Sequence, residues 1–393
     1  MLAIRAARLF DGSTVSDRPL VLVDGSTVVD VDTTGAAPPP HAELVDLGDA
    51  TLLPGLVDAH VHLALNASAT PVAHLADVDD EQLLGEMRSA ARRALAAGVT
   101  TVRDLGDRGY LGVRLRDEVA VDPLVGADVV PAGPPITRPG GHCWFLGGEA
   151  EGSAGVRDAV RRHVERGVGV VKVMTTGGEL TPGTLAHQAS FSVEELRVLA
   201  DEAHRAGLPI TGHAHGRDGI AGCLAAGFDG VEHATFFTET GLEPDLDVIA
   251  GLAAAGVTVT ATPGGLPGFA PPPRIAAVLP RLRELMGIML DAGVRVLVSS
   301  DAGIAPVKPH DVLPHSVAFA TGLGIRPADA MAMVTTRAAA ALGLDGRKGR
   351  VARGYDADLL AVDGPLDDMS SLTRPIAVWH RGTLVPEVGV KAV

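Results

Sequence analysis

What most constrains this chain is an alternation running through its middle, in which a short β-branched run is followed by an amphipathic stretch rich in Ala, Leu and Arg. The apolar runs fall at 55–63 (GLVDAHVHL), 99–106 (VTTVRDLG), 128–133 (DVVPAG), 169–177 (GVVKVMTTG), 209–216 (PITGHAHG), 230–236 (GVEHATF), 258–265 (TVTATPGG) and 294–303 (VRVLVSSDAG). Intervening segments such as 80–98, 192–207 and 273–293 space Leu and Ala by three and four residues and stop at Gly, the pattern of helices packed on a sheet. Strand–helix repeats demand parallel pairing through right-handed crossovers, and eight of them predict closure into a (β/α)₈ barrel of the TIM type. The alternative is an open doubly wound sheet. That architecture would carry a Gly-rich dinucleotide turn after its first strand, and nothing of the kind follows residue 63.

A barrel takes ~250 residues, so a chain of 393 has material left for something smaller. With 46% hydrophobic and 21% charged side chains it can bury a large core. A net charge of −15 disfavours nucleic acid and anionic membrane, both of which need a basic face; a small molecule is the expected partner. No run reaches the ~18 apolar residues of a membrane span. The opening MLAIRAARLF places Arg5 and Arg8 where a secretory signal needs an apolar core. Cys143 and Cys223 make no disulfide framework. A cytoplasmic protein is expected, and symmetry base rates favour a homo-oligomer.

Six residues on these strands have metal-ligand chemistry. His60 and His62, at i and i+2, leave the same face of the first strand. Lys172 is expected to end the fourth strand, His213 the fifth, His233 the sixth and Asp301 the eighth, the ends at which barrel active sites are built. A lone buried histidine is more often a satisfied core residue than a ligand. Six such groups at corresponding ends are different, because burying each without a partner or a metal carries a large desolvation cost.

The segments LLPGLVDAHVHL, VVKVMTTGG, TGHAHG, GVEHATF and SSDAG together closely resemble the amidohydrolase superfamily, in particular the branch of imidazolonepropionase-related enzymes and proline-type dipeptidases. The resemblance runs over essentially the whole chain. It implies a small β-sandwich assembled from both ends, 1–54 with 346–393, around a metal-dependent hydrolase barrel at 55–345. By the same resemblance His60 and His62 hold the more buried of two divalent cations, expected to be zinc, and His213 and His233 the more exposed one. Asp301 touches both metal and water and serves as general base and acid. Lys172 bridges the cations after CO₂ converts it to a carbamate, since an ammonium would repel them and a carbamate offers two anionic oxygens. Mn, Fe or Co also suit such donors.

His142, after Gly-Gly in the loop following the third strand, resembles the family histidine that stabilises the oxyanion and contacts substrate. His215 faces inward by alternation from His213 and reads as a substrate contact; some dipeptide-cleaving relatives carry tyrosine there, so this chain departs from them. Arg138 is a candidate anchor for a substrate carboxylate, with a solvated loop arginine as the equal alternative. His310 and Lys308, in KPHDVLPH, fall where a lid over the pocket belongs. The remaining histidines, among them His163 and His380, read as surface or packing residues. The reaction implied is hydrolysis of a C–N bond in an amide, peptide-like or cyclic amide. The same scaffold also serves deamination, ester or lactone hydrolysis, isomerisation, or binding without catalysis, and fold alone does not choose.

Overall fold

The computed structural model describes residues 1–271, 273–367 and 369–388, so the final residues of the C-terminal segment, 389–393, lie outside the described part. Each of the eight predicted runs is a strand. We label them β1 (Leu56–Val61), β2 (Val99–Asp104), β3 (Asp128–Pro131), β4 (Val171–Met174), β5 (Ile210–Gly216), β6 (Gly230–Phe237), β7 (Thr258–Ala261) and β8 (Arg295–Val298). All pairings among them are parallel: β3, β2 and β1 form a three-stranded sheet and β4 through β8, in order, a five-stranded one. A parallel bridge joins Val61 to Ala302 beyond β8, and another joins Ile136 beyond β3 to Val173 on β4.

The helices lie where their spacing puts them, and their ends have identifiable causes. Helix Asp80–Ala96 starts at Asp79, whose carboxylate accepts from the Gln82 amide, and helix Val193–Arg205 starts in a reciprocal capping box between Ser192 and Glu195. Each such cap is worth about 1 kcal/mol. Left-handed glycines at Gly167, Gly227 and Gly256 terminate three others. Leu83, Leu84, Met87 and Leu95 of the first helix are buried in the main apolar core. No helix among the described residues is long and apolar enough to cross a membrane.

The two ends of the chain pair with each other. Ala50–Pro54 runs antiparallel to Leu359–Asp363, at the centre of a six-stranded sheet completed by Pro375–His380, Thr383–Leu384, Arg8–Phe10 and Val15–Asp17. A four-stranded sheet follows the order Thr27–Asp32, Leu20–Asp24, Leu2–Arg5, Glu43–Asp46. The opening run AIRAARLF therefore splits between two sheets, Leu2–Arg5 in one and Arg8–Phe10 in the other. Ile4, Val21 and Val28 of one sheet share a buried cluster with Leu52, Leu359 and Trp379 of the other. Charge ties this region to the parallel sheets: Asp128, the first residue of β3, receives Lys348 at 2.7 Å and also Arg381, with His380 Nε2 at 3.4 Å.

Candidate metal centre

Two groups of donors meet at one end of the parallel strands. His60 on β1, His62 just beyond it and Asp301 beyond β8 form the first, and His213 and His215 on β5 with His233 on β6 form the second; within each, the donor atoms lie within 4.8 Å of one another. His60 Nε2 is 3.3 Å from His62 Nε2, and Asp301 Oδ1 is 3.4 and 3.3 Å from those two nitrogens. The groups adjoin, because the His60 ring is centred 5.0 Å from that of His233. His142 stands beside them with its ring 4.6 Å from His213.

Lys172 is the second of β4's four residues rather than its last, and its side chain is buried. Its Nζ has no hydrogen-bond partner. Burial lowers its pKa from 10.5 to about 8. The ammonium is in turn within electrostatic reach of both groups, helping to hold His60, His213 and His233 below the ordinary imidazole range. Burial is the larger cause for each and takes His60 down to about 4. The imidazoles of His60, His213 and His233 are therefore neutral at pH 7, the form that offers a lone pair to a metal. Burial pushes Asp301 the other way, but His60, His62 and Lys308 outweigh it and hold the carboxylate well below its usual range. Neutral imidazoles, one ionised carboxylate and an orphaned buried amine are a donor set that suits divalent transition-metal ions.

Backbone strain and fixed hydrogen bonds set these side chains. Asp301 (φ 57°) and His233 (φ 68°) occupy the left-handed region, which costs a non-glycine residue about 1–2 kcal/mol; such strain clusters at functional sites. On β6 it breaks the strand's two-residue alternation, so that neighbouring Glu232 and His233 both reach His60. Each imidazole of the second group is held through one nitrogen. His213 Nε2–H donates to the Gly177 carbonyl at 3.1 Å, His215 Nδ1 is 2.8 Å from Thr235 Oγ1, and His233 Nδ1 is 3.1 Å from Thr262 Oγ1.

The other residues singled out in the sequence are differently placed. His142 is buried, with no partner for Nδ1, and burial and the neighbouring His215 and Lys172 lower its pKa to about 3. A Cβ on Gly178 would come within 2.5 Å of its Nε2, so glycine is what lets that loop pass over the ring. His215 is stacked between His233 and Phe237, with ring centroids 4.6 and 5.3 Å away. Arg138 sits over Phe191, with a guanidinium nitrogen 3.6 Å from Glu195, so it lies against the start of a helix and not against the imidazoles. The segment read as a lid packs inward. Lys308 Nζ donates to the Ser300 and Thr262 carbonyls at 2.6 and 3.0 Å, and His310, itself buried, donates from Nε2 to the His62 carbonyl at 3.2 Å. Both brace the strand ends that carry Asp301 and His62.

Sequence reasoning missed Glu232 and Arg103. Glu232 is fully buried and accepts from His60 Nδ1 at 2.8 Å, Arg103 at 2.8 Å and Thr211 Oγ1 at 2.5 Å. It also missed Asp104, the last residue of β2, and Asp107 just beyond it, two buried carboxylates each with one oxygen lacking a partner.

The sequence matches the amidohydrolase family over residues 51–385, and the chain belongs to that family. An ochratoxinase from Aspergillus niger is 28% identical over 366 residues, 84% of this chain and 74% of the relative. Imidazolonepropionase from Salinispora tropica is 28% identical over 383 residues, 88% of this chain and 86% of its own. The solved structure of a Xaa-Pro dipeptidase with methionine in its active site superposes with a TM-score of 0.86 at 26% identity, covering 98% of this chain and 99% of that one. The resemblance read from the motifs is met on both sides, by imidazolonepropionase in sequence and by a proline-type dipeptidase in structure.

Proposed function

We propose that this chain is a metal-dependent hydrolase of C–N bonds in small amide, peptide-like or cyclic amide substrates, built on a closed barrel at 55–345 with a β-sandwich from 1–54 and 346–393. Closure is supported by the two bridges that link the parallel sheets at both seams, and the sandwich by the apolar cluster to which both terminal sheets contribute. The observation that carries the functional reading is Lys172, a buried amine without a hydrogen-bond partner in electrostatic reach of two donor groups.

On this reading His60, His62 and Asp301 would hold one divalent cation and His213 and His233 the other, and Lys172, as a carbamate, would supply anionic oxygens to both. Carbamate formation joins Nζ to the carbon of CO₂ and releases one proton. Its lowered pKa of about 8 leaves roughly a tenth of the amine neutral and nucleophilic at pH 7. When bound, the cations acidify water and polarise the scissile carbonyl. Asp301, held ionised, accepts a proton from the attacking water and delivers it to the leaving nitrogen. His142, neutral and beside His213, donates a hydrogen bond to the oxygen that gains charge as the carbonyl becomes tetrahedral. His215, fixed by its stack, bounds the substrate; Arg138 and His310 serve as further substrate contacts only after leaving Glu195 and the His62 carbonyl.

The test is turnover of a panel of N-acyl amino acids, dipeptides and cyclic amides. Hydrolysis that stops on chelation and returns with Zn²⁺ is the expected result. Turnover confined to esters, lactones or amines would replace amide hydrolysis with the other reactions of this scaffold.

A further inference from the structure

The geometry points to Glu232 as a positioning residue that fixes the tautomer and direction of His60, so that one dipeptide of β6 supports both donor groups, Glu232 through His60 and His233 directly. The inference rests on the reading of His60 as a metal ligand.

The carboxylate is locked at both oxygens. Oε2 accepts from His60 Nδ1–H at 2.8 Å. Oε1 accepts from the Arg103 guanidinium at 2.8 Å and from the Thr211 hydroxyl at 2.5 Å. Arg103 is fixed in turn, donating from Nε to the Ala59 carbonyl at 2.7 Å and lying 3.4 Å from Thr260 Oγ1. A carboxylate cannot donate, so the His60 proton belongs on Nδ1 and the lone pair on Nε2. That nitrogen faces His62 Nε2 and Asp301 Oδ1. A buried carboxylate on the far nitrogen of a ligating histidine sets ring orientation and raises ligand basicity. Arg103 matters because an unpaired carboxylate at this depth would be strongly unfavourable.

The arrangement requires Glu232 and His233, adjacent in sequence, to share the inner side of β6. Ordinary strand alternation sends neighbours to opposite faces, and the left-handed backbone at His233 (φ 68°) overrides it.

The test measures Zn²⁺ binding by competition with a chromophoric chelator, together with the visible spectrum of the Co²⁺-substituted protein and the melting temperature of the metal-free protein. In E232Q, which preserves side-chain volume, affinity for one equivalent should fall about 10- to 100-fold while the other stays within about two-fold, and the Co²⁺ bands should shift. T211V, which removes only one donor to Glu232, should produce a smaller change in the same equivalent and keeps the test open should E232Q fail to fold. If both variants melt earlier yet bind Zn²⁺ as the wild type does, Glu232 is a structural ion-pair partner and the inference fails alone. If the wild type binds no metal, the inference fails together with the metal-centre reading.

Discussion

Replacing Lys172 by methionine should stabilise the metal-free protein, the reverse of what most core substitutions do. Methionine fills nearly the same space without an amine that lacks a hydrogen-bond partner. The folded-state pKa falls from 10.5 to about 8, with burial as the leading cause. At about 1.4 kcal/mol per pH unit, holding the ammonium there costs the fold about 3 kcal/mol. The proton is bound less tightly in the folded state than in the unfolded one, so the penalty is complete below pH 8 and fades as pH rises toward 10.5. In CO₂-depleted, metal-free buffer, urea unfolding of Lys172→Met should give a stability gain of about 3 kcal/mol over the wild type at pH 7, shrinking toward zero by pH 10. With metal and bicarbonate present the order should reverse, because only the wild type then gains binding energy. A metal-free variant that is less stable than the wild type at pH 7 would mean that the ammonium has a favourable partner, and the case for a group awaiting a cation pair would collapse.

Two further predictions follow from neighbouring features. Burial raises Asp107 to about 7 and, with Asp107 beside it, raises Asp104 well above 3.8; a carboxyl that binds its proton more tightly when folded adds stability at low pH and loses it as pH rises from about 4 to 7. Asp107→Asn should flatten that slope by up to about 1.4 kcal/mol per pH unit, measured by chemical denaturation at pH 4.5 and 7, and an unchanged slope would mean that Asp107 ionises normally. Gly178→Ala places a methyl 2.5 Å from His142 Nε2; kcat should drop by about 100-fold, the scale of losing one oxyanion donor, with zinc content and melting temperature little changed. Activity at the wild-type level would remove His142 from the reaction.

Much of the strand plan was readable, because β-branched runs bounded by Gly and Pro leave little choice of element: seven of the eight strands lie within the predicted segments and β6 runs one residue past its segment, to Phe237. His60, His62, His213, His233 and Asp301 converge as expected, since strand ends of parallel sheets gather at one face. Glu232 was hidden by the rule that exposed the others: alternation from His233 assigns it to the opposite side, and no glycine announces the left-handed backbone that changes this. Lys308 and His310 were legible as residues near the site but not as its braces, because what decides their role is which carbonyls lie within reach. The break in the N-terminal run AIRAARLF at Ala6 and Ala7, between Leu2–Arg5 and Arg8–Phe10, leaves no turn signature in the sequence.

The most direct test of the whole account is the metal content of purified protein, measured by mass spectrometry for the wild type, His60→Ala, His213→Ala and Lys172→Ala. Two equivalents of divalent metal per wild-type chain are expected, with about one retained when either histidine is removed and less than one when Lys172 is. A wild type that carries no metal after growth and dialysis with Zn²⁺, or variants that keep the full complement, would contradict the cation pair from which the chemistry proposed for this chain is built.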